Sequence, residues 1–246
     1  MDLREWLTLR FTRRLLSTPE GRAHVLNQIA DAESNGENHV FEHVLKHVDD
    51  SALRKMIEKH QADEIRHEQL FRACVERNGI VPHPVPSGLK LIDRLDRAVG
   101  GFFEHDLDAT TGVMDAYLLL QVIEERAITQ FTVFEKVFRE LDLPIGPVIA
   151  DTFVEVAKDE ELHLKYCHAI SKRYAPDELT RQRRLKELRE LEARCFAENS
   201  AANMEHVFQK GWFDGGPAVK WMFKTLQSLG NRRGELPYTA FAAEAA

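Results

Sequence analysis

Asp63-Glu64-Ile65-Arg66-His67 and Asp159-Glu160-Glu161-Leu162-His163 are the two stretches on which the reading of this chain turns. In each, a Glu and a His stand three residues apart, so on a helix both side chains project from one face and can reach a single cation. With 25 Glu and 11 His in 246 residues, chance alone supplies about one Glu-x-x-His match. The motifs therefore gain weight only from their setting. Each lies midway along a stretch of helical periodicity, and each has a glutamate in the preceding helical stretch: Glu33 precedes Glu64 by 31 positions, and Glu124 precedes Glu160 by 36. In an antiparallel helix pair such a glutamate lies beside the Glu-His pair of its neighbour. The chain thus repeats one half-site, Glu33-Glu64-His67 and Glu124-Glu160-His163.

Working outward, Leu26, Ile29, Ala30, Val40, Phe41, Val44 and Val48 recur at helical spacing and predict a first long helix over Gly21–His47. Asp50 or Ser51 caps a second, which runs through Leu53, Ile57, Ile65, Leu70 and Phe71 and stops at Asn78-Gly79. Pro82, Pro84 and Pro86 exclude helix from Val81 to Gly88, and a short helix follows near Leu89–Val99. The third long helix, Val113–Leu141, is apolar on most sides around Tyr117–Ile123, which places it centrally. Pro144, Gly146 and Pro147 separate it from a fourth, Pro147–Tyr174, and Pro176-Asp177 opens a charged fifth that reaches Lys210. Short spacers make hairpins of helices one and two and of helices three and four, and the long passage between the pairs can cross the whole bundle. The expected fold is all-α: a four-helix bundle of two antiparallel hairpins joined by a long crossover, with extra N-terminal and C-terminal helices. We take 1–246 as one domain, with 21–174 as its core and 175–246 as a helical extension. Trp212 to Gly216 and the Ala-rich end beyond Asn231 point to no chemistry.

A formal charge of −7 and a pI near 5.9 give no general attraction to nucleic acid or to anionic membrane. The run Arg181, Arg183, Arg184, Lys186, Arg189, interleaved with Glu187, Glu190 and Glu192, reads as a solvated helix face. Cys74, Cys167 and Cys195 lie far apart, which excludes a Cys-x-x-Cys zinc or rubredoxin-type site, argues against a disulfide framework, and suits a reducing cytoplasm. Met1 to Arg14 carries Asp2, Glu5, Arg10, Arg13 and Arg14 and so lacks the apolar centre of a signal peptide, and no stretch reaches membrane-spanning length.

Six candidate ligands follow: Glu33, Glu64, His67, Glu124, Glu160 and His163. Four carboxylates gathered in a poorly solvated core repel one another unless cations sit between them. Mixed carboxylate and imidazole donors favour iron or manganese, so two iron ions are expected, with a manganese-iron pair open to the same ligands. Glu33 shares the apolar stripe of the first helix, and Glu124 shares a face with Tyr117, Leu120, Ala127, Ile128 and Phe131, where an unpaired charge is rare. Glu37, one turn past Glu33, and Glu125, beside Glu124, are alternatives to them. Asp63 and Asp159 are placed to accept the outer imidazole proton of the opposite motif's histidine. His60, one turn before Glu64, reads as a core or surface histidine, or as an extra ligand or proton relay. The row His39, His43, His47 reads as an exposed helix face and Tyr117 as core packing, against a surface metal and radical chemistry respectively.

At these residues, Gly21 to Tyr174 resembles the ferritin-like di-iron carboxylate superfamily. Ile123-Glu124-Glu125-Arg126-Ala127-Ile128-Thr129-Gln130-Phe131 is similar to the third-helix segment of MiaE-type tRNA-modifying hydroxylases, which points to Glu124. Asp63-Glu64-Ile65-Arg66-His67-Glu68 is similar to the Asp-Glu-x-Arg-His-Glu of soluble acyl-carrier-protein desaturases, whose Glu-Arg-Ala, matched by Glu125-Arg126-Ala127, points to Glu125. The resemblance implies a ferritin-like bundle and a bridged iron pair that activates O2. The expected function is a di-iron oxygenase that hydroxylates, desaturates or N-oxygenates a small or carrier-bound organic substrate. Its electrons would come from an external donor such as a ferredoxin and its reductase. A ferroxidase or iron-storage protein is one alternative, and a metal-free helical interaction module another. A monomer or homodimer suits the oxygenase, and a very large shell suits storage.

Overall fold

Pro, Gly and Asp stand where this chain turns, and helix formers fill the stretches between them. The computed structural model describes residues 3–35, 37–80, 82, 84–100 and 112–232. Among these every regular element is helical: α1 (Leu3–Leu16), α2 (Pro19–Asn35), α3 (Glu37–Leu45), α4 (Ser51–Arg77), a 3₁₀ turn (Ser87–Leu89), α5 (Leu91–Ala98), α6 (Gly112–Glu140), α7 (Gly146–Tyr174), α8 (Glu178–Lys210) and α9 (Pro217–Arg232). No helix among them is long and apolar enough to cross a membrane.

The ends of the long helices have local causes. Asp50 accepts hydrogen bonds from the Ala52 and Leu53 amides at 2.8 and 3.1 Å and starts α4, and Asp177 does the same for α8 through Thr180 at 2.8 Å. Past α4 the backbone turns through Gly79 at φ 79°, a left-handed conformation that glycine adopts without steric cost. Gly146 serves by size: a Cβ there would lie 2.6 Å from the Phe138 carbonyl oxygen, so only glycine lets α7 turn back so tightly on α6.

That turn makes α6 and α7 one closely packed pair; α2 packs along α4, and α4 against α7. Along each of these helices the side chains run through two apolar cores with a polar layer between. On α4 the order is Ile57, then His60, Glu64 and His67, then Phe71; on α7, which carries its layer the other way round, it is Phe153, then Glu160 and His163, then Ile170. Phe71, Phe131 and Phe153 close one side with ring centroids 5.2–5.6 Å apart. Phe41, Ile57, Tyr117 and Leu118, all fully buried, close the other. Each core excludes water from the layer it flanks.

The first long helix, expected over Gly21–His47, is covered by α2 and α3, with residue 36 between them outside the described residues. The basic run on α8 is not wholly a solvated face: Arg181 is only 2% exposed and pairs with Glu178, while Arg184 and Arg189 reach Asp115 and Glu125 on α6. Helix α9, within the expected C-terminal helical extension, packs on α8 and adds Phe223 to a ring cluster with Phe11 and Phe213. The expected crossover runs through 101–111, outside the described residues.

Candidate metal centre

Every side chain of the repeated half-site is buried in the layer between the two cores, the most exposed being Glu33 at 8%. Two overlapping sets of ligand atoms gather there. In the first, His60, Glu64, Glu124 and His163 hold their ligand atoms within 4.8 Å of one another; in the second, Glu33, Glu64, His67 and Glu160 do. Glu64 belongs to both. In the first set His163 Nδ1 lies 3.0 Å from Glu64 and 3.6 Å from Glu124. In the second, His67 Nδ1 lies 3.3 Å from Glu160, 3.6 Å from Glu33 and 3.8 Å from Glu64. Glu160 spans the two histidines, its other oxygen being 2.7 Å from His163 Nδ1. Both Glu-x-x-His glutamates are thus placed between the sets, with Glu33 and Glu124 at opposite flanks.

The aspartates that precede these glutamates fall where the spacing predicts. Asp63 Oδ2 is 3.4 Å from His163 Nε2, and Asp159 Oδ2 is 3.4 Å from His67 Nε2, each reaching the other motif's imidazole. Each is held in turn by a cation from α4, Asp63 by Lys59 and Asp159 by Arg66, which also binds Glu155 at 2.7 Å. The arrangement leaves Nδ1 of both histidines facing the carboxylates, as a ligand atom must.

Contacts with α8 separate Glu124 from Glu125. Glu125 turns away from the layer to accept both guanidinium nitrogens of Arg189 at 2.6 and 2.9 Å, whereas Glu124 is 3% exposed and faces His60 and His163. The Glu37 and His39 side chains lie outside the described residues; His43 and His47 are half-buried on and just past α3 and belong to neither set. Tyr117 is fully buried with its ring 6.5 Å from that of His60.

His60 is the residue for which the motif reading made least provision. It is fully buried, its Nε2 lies 2.9 Å from Glu124 and 3.4 Å from Glu64, and its ring stacks on His163 with centroids 3.8 Å apart. The residue one turn before Glu160 is Val156, so the two half-sites differ here: the first set has two imidazoles, the second one. The signal was the extension of Glu64-x-x-His67 to His60-x-x-x-Glu64-x-x-His67, which a core histidine would produce equally well.

Without cations the layer is held together by protons. Burial opposes charge on His67, yet the facing carboxylates of Glu160, Glu33 and Glu64 override it and raise the imidazole far above its ordinary range; His163 behaves likewise through Glu124, Glu160 and Glu64. Burial, then repulsion from Glu124 and Glu64, pushes the Glu160 carboxyl up to about 7, and burial with the neighbouring Glu64 raises Glu33 well above the carboxylate range. Glu64 is held well below it, because the facing Glu33 and three histidines outweigh its burial. Even so, Glu64 Oε1, His67 Nδ1 and His60 Nδ1 are buried without a hydrogen bond. Two of these three atoms point into the ligand sets, which is the arrangement a donor set has when a cation is its proper partner.

A cavity of ≈ 190 Å³ reaches this layer at Glu33 and Glu124, bounded by α1, α2, α5, α6 and α8. Ile29, Ala127, Phe131, Phe134, Met204 and Val207 make most of its wall apolar. No family model, curated protein or solved structure matches the chain.

Proposed function

We propose that the chain is a ferritin-like di-iron oxygenase that acts on a small organic substrate. The observation that carries this reading is the pairing of two buried, overlapping Glu/His sets with an apolar cavity that opens on one carboxylate of each. A helical interaction module has no use for four glutamates and three histidines buried in its interior, since each costs desolvation without adding to a surface. A storage protein moves hydrated iron, which a wall of Ile29, Phe131, Phe134 and Val207 does not favour.

In this reading Glu124, His60 and His163 would hold one cation and Glu33 and His67 the other, with Glu64 and Glu160 within reach of both. Iron, reduced by an external donor such as a ferredoxin, supplies the oxygen chemistry. The chain's own residues set its terms. Asp63 and Asp159 fix the tautomers of His163 and His67, Lys59 and Arg66 hold those aspartates, and the two apolar cores keep water from the layer. His60 loads the first position with more protein donors than the second, so exogenous molecules are expected at the position served by Glu33 and His67. Manganese fits the same donors in either position.

Metal analysis of the chain produced with iron is the direct test. The proposal expects two iron ions per chain, O2 uptake once they are reduced, and loss of both ions in Glu64→Ala and Glu160→Ala with helical content retained. A wild-type chain that takes up no iron anaerobically ends the proposal; iron-bound shells of many subunits on gel filtration would return it to storage.

A further inference from the structure

The wall of the cavity restricts what can occupy it. Two cationic side chains line it besides His24, and both are already engaged: Lys90 with Asp31 at 2.9 Å, and Arg126 with Glu192 through two contacts of 2.7 and 2.9 Å while its guanidinium lies over Phe196. Asp93 adds a carboxylate beside Lys90 and no further cation accompanies it among the lining residues. A carboxylate or phosphate ligand would therefore be desolvated against unmatched negative charge.

Among the neutral polar groups of the wall, Gln28 and Asn203 are partnered, and Asn199 carries a fully buried acceptor that is not. Asn203 receives His24 Nε2 at 3.0 Å and the Gln28 amide, and donates to the carbonyls of Leu89 and Asn199 at 3.2 and 3.0 Å. Asn199, one turn earlier on α8 and 9% exposed, lines the same cavity with its side-chain oxygen buried and without a hydrogen bond. An orphaned buried acceptor is costly, and a ligand donor would relieve that cost. The volume fixes the scale, because about 150 Å³ of apolar cavity suffices to hold benzene.

We infer that this cavity binds a non-anionic, largely apolar molecule the size of one short-chain-substituted aromatic ring, whose N–H or O–H donates to Asn199. The inference rests on the metal-centre reading for its biological sense, since the bound molecule would be the oxygenase substrate, but its test does not depend on metal. Three probes of similar size separate the possibilities by calorimetry on the protein as purified, its metal content measured in parallel: 2-phenylethanol, propylbenzene and 3-phenylpropanoate. The alcohol is expected to bind about tenfold more tightly than propylbenzene, the gain of one hydrogen bond, with the carboxylate weakest. Asn199→Leu should erase the advantage of the alcohol over propylbenzene, and Met204→Trp, which fills the cavity from α8, should abolish binding of all three at unchanged metal content. Binding of 3-phenylpropanoate as tight as that of the alcohol, no binding of any probe to the wild-type chain, or an alcohol preference that survives Asn199→Leu overturns the inference. Should Asn199→Leu fail to fold, the ranking on the wild-type chain and the Met204→Trp result decide it. Loss of the metal reading would show instead as absent iron, whatever the probes do.

Discussion

Asp63 and Asp159 never enter the ligand sets, yet each fixes the nitrogen that its histidine presents to them. Asp63→Asn and Asp159→Asn are therefore expected to weaken metal binding about 10- to 100-fold each, measured by competition with a chelator, while leaving the fold intact. Glu125→Gln is the matching control. It breaks a pair with Arg189 at the surface, worth at most about 1 kcal/mol, and should leave metal affinity unchanged. At this scale the sequence carried most of the site, because a three-residue spacing repeated in two helices, each with an upstream glutamate, constrains six positions together. It favoured Glu124 over Glu125 from the apolar face alone, because the pairing of Glu125 with Arg189 spans 64 residues of chain. It could not promote His60, because one helical turn before a ligand is also where an ordinary core residue lies.

Among the elements, the join between α6 and α8 depends on a buried ion pair. Arg126 and Glu192 are 5% and 2% exposed, so Arg126→Met leaves a carboxylate buried and unpaired and is expected to cost about 3–5 kcal/mol in urea unfolding. The double change Arg126→Met with Glu192→Leu should recover most of that loss. Gly146→Ala tests the α6–α7 turn: a Cβ 2.6 Å from the Phe138 carbonyl must displace backbone, so a loss of about 1–3 kcal/mol is expected with the iron stoichiometry retained. Helix ends were legible wherever a cap residue or glycine sits at the boundary, as at Asp50, Asn78-Gly79, Gly146 and Asp177. The bounds of α9 inside the C-terminal extension were not drawn, because its packing depends on α8 and the Phe11 cluster.

For the whole molecule, the proton inventory of the layer sets a pH dependence. In the metal-free protein His67 and His163 are raised above the imidazole range and Glu160 is raised to about 7, whereas unfolded His and Glu titrate near 6.5 and 4.3. The folded state then binds more protons than the unfolded chain between about pH 5 and 8, and the stability of the metal-free protein falls as pH rises through that window. The depressed Glu64 and Glu124 act in the opposite sense but below it, their contribution being complete above the ordinary carboxylate range. Cations replace these protons, so the rise in Tm on anaerobic addition of Fe(II) should be larger at pH 8 than at pH 6. An equal rise at both values would contradict proton displacement. At this scale the pairing of helices was legible from spacer lengths, but the cavity was not, because its wall is assembled from five helices whose separations no local pattern encodes.

The central claim is that two cations belong between the overlapping sets that share Glu64. Anomalous diffraction at the iron edge from crystals of the iron-loaded protein tests it most directly. The account predicts two peaks about 3.5–4 Å apart, one beside His60 and His163 and the other beside His67, with Glu64 between them; a buried layer without a peak, or iron found only at the surface, would contradict it.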